Sequence, residues 1–153
     1  MTTTRVSKTI HATRAAIYRA CLDPALLMQW RFPDNMRAEI HSFDAREGGI
    51  YRMSLTYLDP AHSTEGKTTA DTDTFTGRFI SLIPDLQIIE RIDFHSPDPA
   101  FAGEMTMTTM LSDANNGAQV TILCEDIPQG IRPKDNELGC RLALDNLARL
   151  LER

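Results

Sequence analysis

A change of hydrophobic period constrains this chain more than any other feature. From about residue 37 to residue 125 the apolar residues alternate in short runs parted by turn signals, and after residue 130 they fall three and four apart. Period two marks half-buried strands, and the 3/4 spacing marks a helix with one buried stripe. In Ile50–Leu58, Tyr51, Met53, Leu55 and Tyr57 face one way, and Arg52, Ser54 and Thr56 face the other. Thr74–Ile83 and Leu86–Phe94 read as strands joined through Pro84-Asp85. In Gly103–Leu111, the residues Met105, Met107, Thr109 and Leu111 share a face. Asn115-Asn116-Gly117 is a hairpin signal, and Val120, Ile122 and Cys124 alternate after it. Arg37–Asp44 is a weaker strand, followed by Gly48-Gly49 as a turn or bulge.

Short turns between successive strands imply an antiparallel sheet. One face of such a sheet needs cover. The final helix, with Asp135 as its N-cap and an end near Glu152, is about 17 residues or roughly 26 Å long. It is the one element long enough to cross the sheet. Cys140, Leu144, Leu147, Ala148 and Leu151 form its core stripe, which Leu138, Leu142, Ala143 and Leu150 widen. At the other end of the chain, Arg5–His11 reads as a strand with Val6 and Ile10 on one face. Thr13 caps a short helix over Arg14–Cys21, and Asp23-Pro24 opens a second that carries Leu26, Leu27 and Trp30 and ends before Pro33. The polar stretch from Asp59 to Asp71 holds Pro60 and Gly66 and reads as a long hairpin loop.

At 153 residues the expectation is one domain. No apolar run approaches the roughly 20 residues that span a bilayer, and the first residues show no apolar signal region, so no membrane insertion is expected. The 16 Lys and Arg are scattered among 21 acids, for a net charge of −5. Nucleic-acid binding needs clustered cations and is not expected. Cys21, Cys124 and Cys140 have no close pair in sequence and read as reduced, buried thiols of a cytoplasmic protein.

The element order, together with particular residues, resembles a known family. The marks are Asp23-Pro24 and Trp30, Gly48-Gly49 before a strand, Gly77-Arg78-Phe79 ahead of Pro84, Met105-Thr106-Met107-Thr108, the run Glu125-Asp126-Ile127-Pro128-Gln129-Gly130, and the helix from Asp135 to Leu151. In this order they resemble the activator of Hsp90 ATPase homologue 1-like branch of the START-like (SRPBCC) helix-grip superfamily. The resemblance implies an α+β helix-grip fold: a curved antiparallel sheet of about six to seven strands around a long C-terminal helix, with a cavity between them. It also implies binding of hydrophobic small molecules or of partner proteins, and some superfamily relatives are cyclases or hydrolases. The family's last helix usually reads Gly-Trp near its start, whereas here Gly139-Cys140 stands there. Loss of the indole leaves volume open. These 153 residues do not include the larger N-terminal domain of the eukaryotic Hsp90 activator, so Hsp90 binding is not expected.

Several short motifs fail on their chemistry. His11, His41, His62 and His95 show no metal-ligand spacing. Gly66-Lys67-Thr68 lacks the earlier glycine and the following helix of a phosphate-binding loop, and Asp71-x-Asp73 lacks the closing Glu of a calcium loop. No cofactor is expected. Glu90 shares a face with Ile88 and Ile92 and is expected to be a buried carboxylate, with Arg52 or Arg78 as partner. It is either a solvent-facing group or a structural ion pair, or else the anchor for a ligand head group or a general base. Catalysis would require a second acid or base beside it, and Asp93 and His95 are the only candidates; Asp93 alternates to the opposite face and His95 falls in a loop, so the sequence offers no clean pair. Met53, Met105, Met107 and Met110 suit either a core or an adaptable pocket. The expected ligand-binding residues are Trp30 near the mouth, the wall residues Tyr51, Met53, Leu55, Phe79, Met105, Met107, Cys140 and Leu144, and Glu90 as polar anchor. The expected partner is an apolar or amphipathic small molecule. The alternatives are a cyclase- or hydrolase-type enzyme and a protein-interaction module. A homodimer through an uncovered strand edge is a further expectation.

Overall fold

Alternation along the central strands builds one sheet. The computed structural model describes residues 2–32, 36–57 and 72–152. The loop read at residues 59–71, with His62 and the phosphate-loop reading, lies outside the described residues, as does Asp71 of the calcium reading. Seven strands form among the described residues: β1 (Thr4–Ile10), β2 (Met36–Phe43), β3 (Ile50–Tyr57), β4 (Thr72–Ile83), β5 (Gln87–Phe94), β6 (Glu104–Ala114) and β7 (Gly117–Glu125). They pair antiparallel in the order β1-β7-β6-β5-β4-β3-β2. Only the β1–β7 pairing joins strands distant in sequence. It brings Thr4 opposite Cys124 and Ile10 opposite Ala118. Bulges between Ile40 and Ser42 and between Phe79 and Ser81 break the register and bend their strands.

Turn chemistry fixes that register. Asn116 adopts φ 63° between the paired residues Ala114 and Gly117, and Asp85 adopts the same angle after Pro84. Both residue types tolerate the left-handed region. Gly48 takes φ +80°, and its N–H donates to the Phe79 carbonyl, which ties the β2–β3 connection to β4.

Among the described residues three α-helices cover the sheet: α1 (Arg14–Leu22), α2 (Pro24–Trp30) and α3 (Pro133–Leu151). Thr13 and Asp23 cap the first two as their sequence suggests, accepting from the N–H groups of Ala16 and Ala25. The third helix departs from the reading. It starts at Pro133, with Arg132 at the cap position and no side-chain cap bond, so Asp135 is a first-turn residue and not the N-cap. Proline's fixed φ suits that opening position. The stripe is also narrower than expected. Ala143, Leu144, Leu147 and Ala148 are buried, whereas Leu138 and Leu142 are 56% and 42% exposed on the outer side. The core runs from Val6 and Ile10 of β1 through Ile17, Leu27 and Trp30 to Leu144 and Leu147 of α3. Burying each such side chain is worth about 1.5–3 kcal/mol. Trp30 Nε1 donates to the Ala20 carbonyl at 2.9 Å, which fixes α2 against α1 and orients the indole inward. No helix among the described residues is long and apolar enough to cross a membrane.

Candidate functional site

A cavity of about 500 Å³ lies between the sheet and the helices. Leu55, Glu90, Phe94, Met107, Thr109 and Ile122 supply its sheet wall. Cys21, Leu27, Trp30 and Arg31 come from α1 and the end of α2, and Asn136, Gly139, Cys140 and Ala143 from α3. Phe32 and Phe101 with Gly130, Ile131 and Arg132 complete it from connecting segments. Its exposed members are Gly130, Arg132, Asp135 and Gly139, so the mouth lies at the start of α3.

Five of the ten expected residues, Trp30, Leu55, Glu90, Met107 and Cys140, stand on this wall. Trp30 is buried there at 5% exposure and is not at the mouth. The other five, Tyr51, Met53, Phe79, Met105 and Leu144, point inward but are packed in the core and do not line the cavity. The reason lies in the aromatic packing under β2–β4. Tyr51 and Phe79 approach within 5.3 Å between ring centroids, and Phe43 packs on both at 5.8 and 5.7 Å. Those rings leave no room at their end of the sheet. Of the four methionines, Met53 and Met105 fill the core, Met107 lines the cavity, and Met110 lies half-buried on the opposite face of β6.

The polar feature of the cavity is built on Glu90. It is 4% exposed, with Ile88 and Ile92 buried beside it on β5, as alternation requires. Its Oε1 accepts from Tyr51 Oη at 2.6 Å and from Arg31 Nη1 at 3.2 Å. Its Oε2 has no partner among the described residues. Arg31 replaces the expected Arg52 and Arg78, which alternate to the outer face and are exposed. Arg31 follows Trp30 at the end of α2, so the helix that buries the indole also delivers the guanidinium. Arg31 Cζ lies 5.8 Å from the Tyr51 ring centroid, and Nη2 reaches toward Met107 Sδ at 3.9 Å. Burial works against the Arg31 charge, but the Glu90 carboxylate and Tyr51 outweigh it and hold the guanidinium above its ordinary value. Burial, then the Glu90 charge, pushes the Tyr51 phenol well above its ordinary value, so it remains a neutral donor.

Gly77 makes this wiring feasible. It sits opposite Tyr51 in the β3–β4 register, and the Tyr51 ring lies where a Cβ on Gly77 would be. Only glycine lets the phenol cross β4 and reach β5.

Asp93 and His95 do not join Glu90. Asp93 is exposed on the outer face, and the exposed His95 shares a hydrogen bond of 2.6 Å with Thr76 through Nε2. Neither stands within reach of Glu90 as an acid–base partner. Cys140 stands half-buried on the cavity wall, which corrects the reading of three buried thiols. Burial, then the Glu90 charge, pushes the Cys21 thiol up to about 12. Among the described residues no cluster of His, Cys, Asp and Glu has metal-holding geometry.

Sequence reasoning missed Arg31, Phe32, Phe94, Phe101, Ile131 and Asn136. Asn136 was within reach, because Asn136, Cys140 and Ala143 follow the 3/4 spacing of one helix face. The loop residues Phe101 and Ile131 carry no periodic signal.

Comparison with known proteins agrees with this fold. The chain is similar over its full length to a protein from Chromobacterium violaceum, at 29% identity with 99% of that chain covered and a TM-score of 0.86. It shares the fold of a protein from Arthrobacter aurescens, at 17% identity, 98% and 86% coverage and a TM-score of 0.79. It also shares the fold of a Mycobacterium smegmatis protein, at 16% identity, 97% and 90% coverage and a TM-score of 0.77. None of the curated proteins matches the sequence. Residues 11–152 match the family described as activator of Hsp90 ATPase homolog 1-like protein, nearly the whole chain, and the protein belongs to that family.

Proposed function

We propose that this protein binds an apolar or amphipathic small molecule between the sheet and α3, with a hydroxyl group of the ligand donating to Glu90 Oε2. The observation that carries this reading is a cavity of about 500 Å³, walled mostly by apolar side chains, with the buried carboxyl group of Glu90 held in its wall by Tyr51 and Arg31. Such a combination is typical of small-molecule sites. Oε1 is already occupied by Tyr51 and Arg31, which hold the carboxylate in one orientation. Oε2, beside the ion pair of Oε1 with Arg31, is placed to accept from a ligand that donates. Trp30, Leu55, Phe94, Met107 and Cys140 supply the apolar wall, and Met107 adapts to irregular ligand shapes. A cytoplasmic setting, inferred from the free thiols, belongs to the same proposal.

A medium-chain alcohol and an ether of the same carbon count test it, because they match in size and only the alcohol donates. Titration by native mass spectrometry should show the alcohol bound about tenfold more tightly, the worth of one hydrogen bond to a charged group at about 1.4 kcal/mol. Equal affinity would remove Glu90 as the anchor. Absence of binding by either, with no small molecule released from freshly purified protein, would contradict the binding reading.

A second reading, a protein-interaction domain, draws on Leu138 and Leu142. These exposed leucines stand one turn apart on the outer face of α3. Self-association through the β2 edge of the sheet belongs to this second reading.

A further inference from the structure

Cys124 and Cys140 are 16 positions apart in sequence and on different elements, yet the fold brings them together. Cys124 on β7 stands opposite Thr4 of β1 and opposite Met107 of β6. Asn136, one turn before Cys140 on the same face of α3, donates from Nδ2 to Thr4 Oγ1 at 2.7 Å. That bond pins the first turns of α3 over the β1–β7 pair, so Cys140 comes down onto Cys124. The two thiols interact directly, and both are free. Cys124 is buried at 1% exposure, whereas Cys140 forms part of the cavity wall beside Met107 and Asn136.

We propose that Cys124 and Cys140 form an oxidisable dithiol at the cavity wall, which a hydroperoxide entering the cavity converts to a disulfide joining β7 to α3. The roles follow from access. Cys140 meets the oxidant. Its sulfur attacks the outer peroxide oxygen, the O–O bond breaks, and an alcohol leaves (water, for hydrogen peroxide). This gives a sulfenic acid on Cys140. Cys124, as the thiolate, takes the Cys140 proton as the Cys140 sulfur attacks and passes it to the departing alkoxide, which leaves as the alcohol. The Cys124 thiolate then attacks the Cys140 sulfur, the S–O bond breaks, and the hydroxide that leaves becomes water with the proton that Cys124 had first released to solvent. The balance is two thiols and one hydroperoxide giving one disulfide, one alcohol and one water. The surroundings suit these steps. The hydrogen bond with Cys140 holds the Cys124 thiol down to about 7 against the effect of burial, with help from Asn136, Thr4 and the Arg31 charge. The same contact pushes the Cys140 thiol up. Of the two thiols Cys124 therefore releases its proton first, and the partner that keeps its proton longer is the one facing the cavity. Cys21 serves as an internal control, since burial and the Glu90 charge hold it as an inert thiol.

The test uses the full chain and does not depend on any ligand in the cavity. Protein is exposed to hydrogen peroxide, quenched by denaturation in N-ethylmaleimide, and read by intact mass and peptide mapping. The expected result is loss of two hydrogens, one maleimide adduct in place of three, a crosslink between the Cys124 and Cys140 peptides, and full reversal by dithiothreitol. In Cys140→Ser the crosslink disappears and Cys124 stays open to alkylation. The proposal is overturned if Cys140 proceeds to sulfinic acid while Cys124 remains alkylatable, if all three thiols survive, or if the disulfide joins two chains.

Discussion

The concave face of the sheet has two halves that differ in how they are filled. Under β2–β4, Phe43, Tyr51, Phe75 and Phe79 pack with ring centroids 5.3–6.4 Å apart. Under β5–β7 the cover is α3, which presents Gly139, Cys140 and Ala143, and about 500 Å³ stays open. Both halves belong to one sheet with one alternation. What separates them is side-chain volume on the covering elements and on the strands beneath. A hollow in this fold is thus set by a few positions, and Glu90 sits at the seam. It accepts from Tyr51 on the filled side and from Arg31 on the open side.

Removing the seam should have the largest effect. Glu90→Leu leaves the Arg31 charge buried and the Tyr51 hydroxyl without its acceptor. The expected loss is about 3–5 kcal/mol in denaturant unfolding. The double variant Glu90→Leu/Arg31→Met should recover most of it, because replacing a whole buried pair by apolar groups is often neutral. A single variant as stable as the parent would mean that the triad does not couple the halves.

Next comes the filled half. Gly77→Ala places a methyl group where the Tyr51 ring lies. The ring must move and lose Glu90, at a cost of about 1–3 kcal/mol. A crystal structure of the variant with the Tyr51–Glu90 bond intact would contradict this.

The third expectation concerns Cys21 at the floor of the open half. Burial, then the Glu90 charge, raises its folded value from 9.0 to about 12. A thiol raised on folding contributes stability that is whole below pH 9 and is lost as pH climbs toward 12. Stability should therefore decline above pH 9, and the decline should be shallower in Cys21→Ala by about 1 kcal/mol per pH unit. Parallel melting curves of the two proteins between pH 9 and 11 would refute the assignment.

The contrast between the halves also marks what sequence can convey. Strand pairing was legible because Tyr51/Met53 and Ile88/Glu90/Ile92 alternate cleanly and because Asn116 and Asp85 carry turn chemistry. The same alternation put Glu90 on the face of Ile88 and Ile92 but left open whether it was buried or turned to solvent. Alternation separates inward from outward, however, and says nothing of filled against hollow. That is why Tyr51, Met53, Phe79, Met105 and Leu144 point inward yet line no cavity. Arg31 as the partner of Glu90, and Cys124 against Cys140, arise from contacts between elements distant in sequence, which no local period records. Phe101 and Ile131 reach the cavity from loops, where there is no period to read.

The most direct measurement is titration of the apolar fluorophore N-phenyl-1-naphthylamine into the parent and Cys140→Trp, with melting curves of both. An indole at position 140 points into the open half and should fill it. Binding should fall by about tenfold or more, roughly 1.4 kcal/mol, while the melting temperature holds or rises. A folded Cys140→Trp protein that binds the fluorophore as tightly as the parent would show that the space between the sheet and α3 is not where apolar molecules bind.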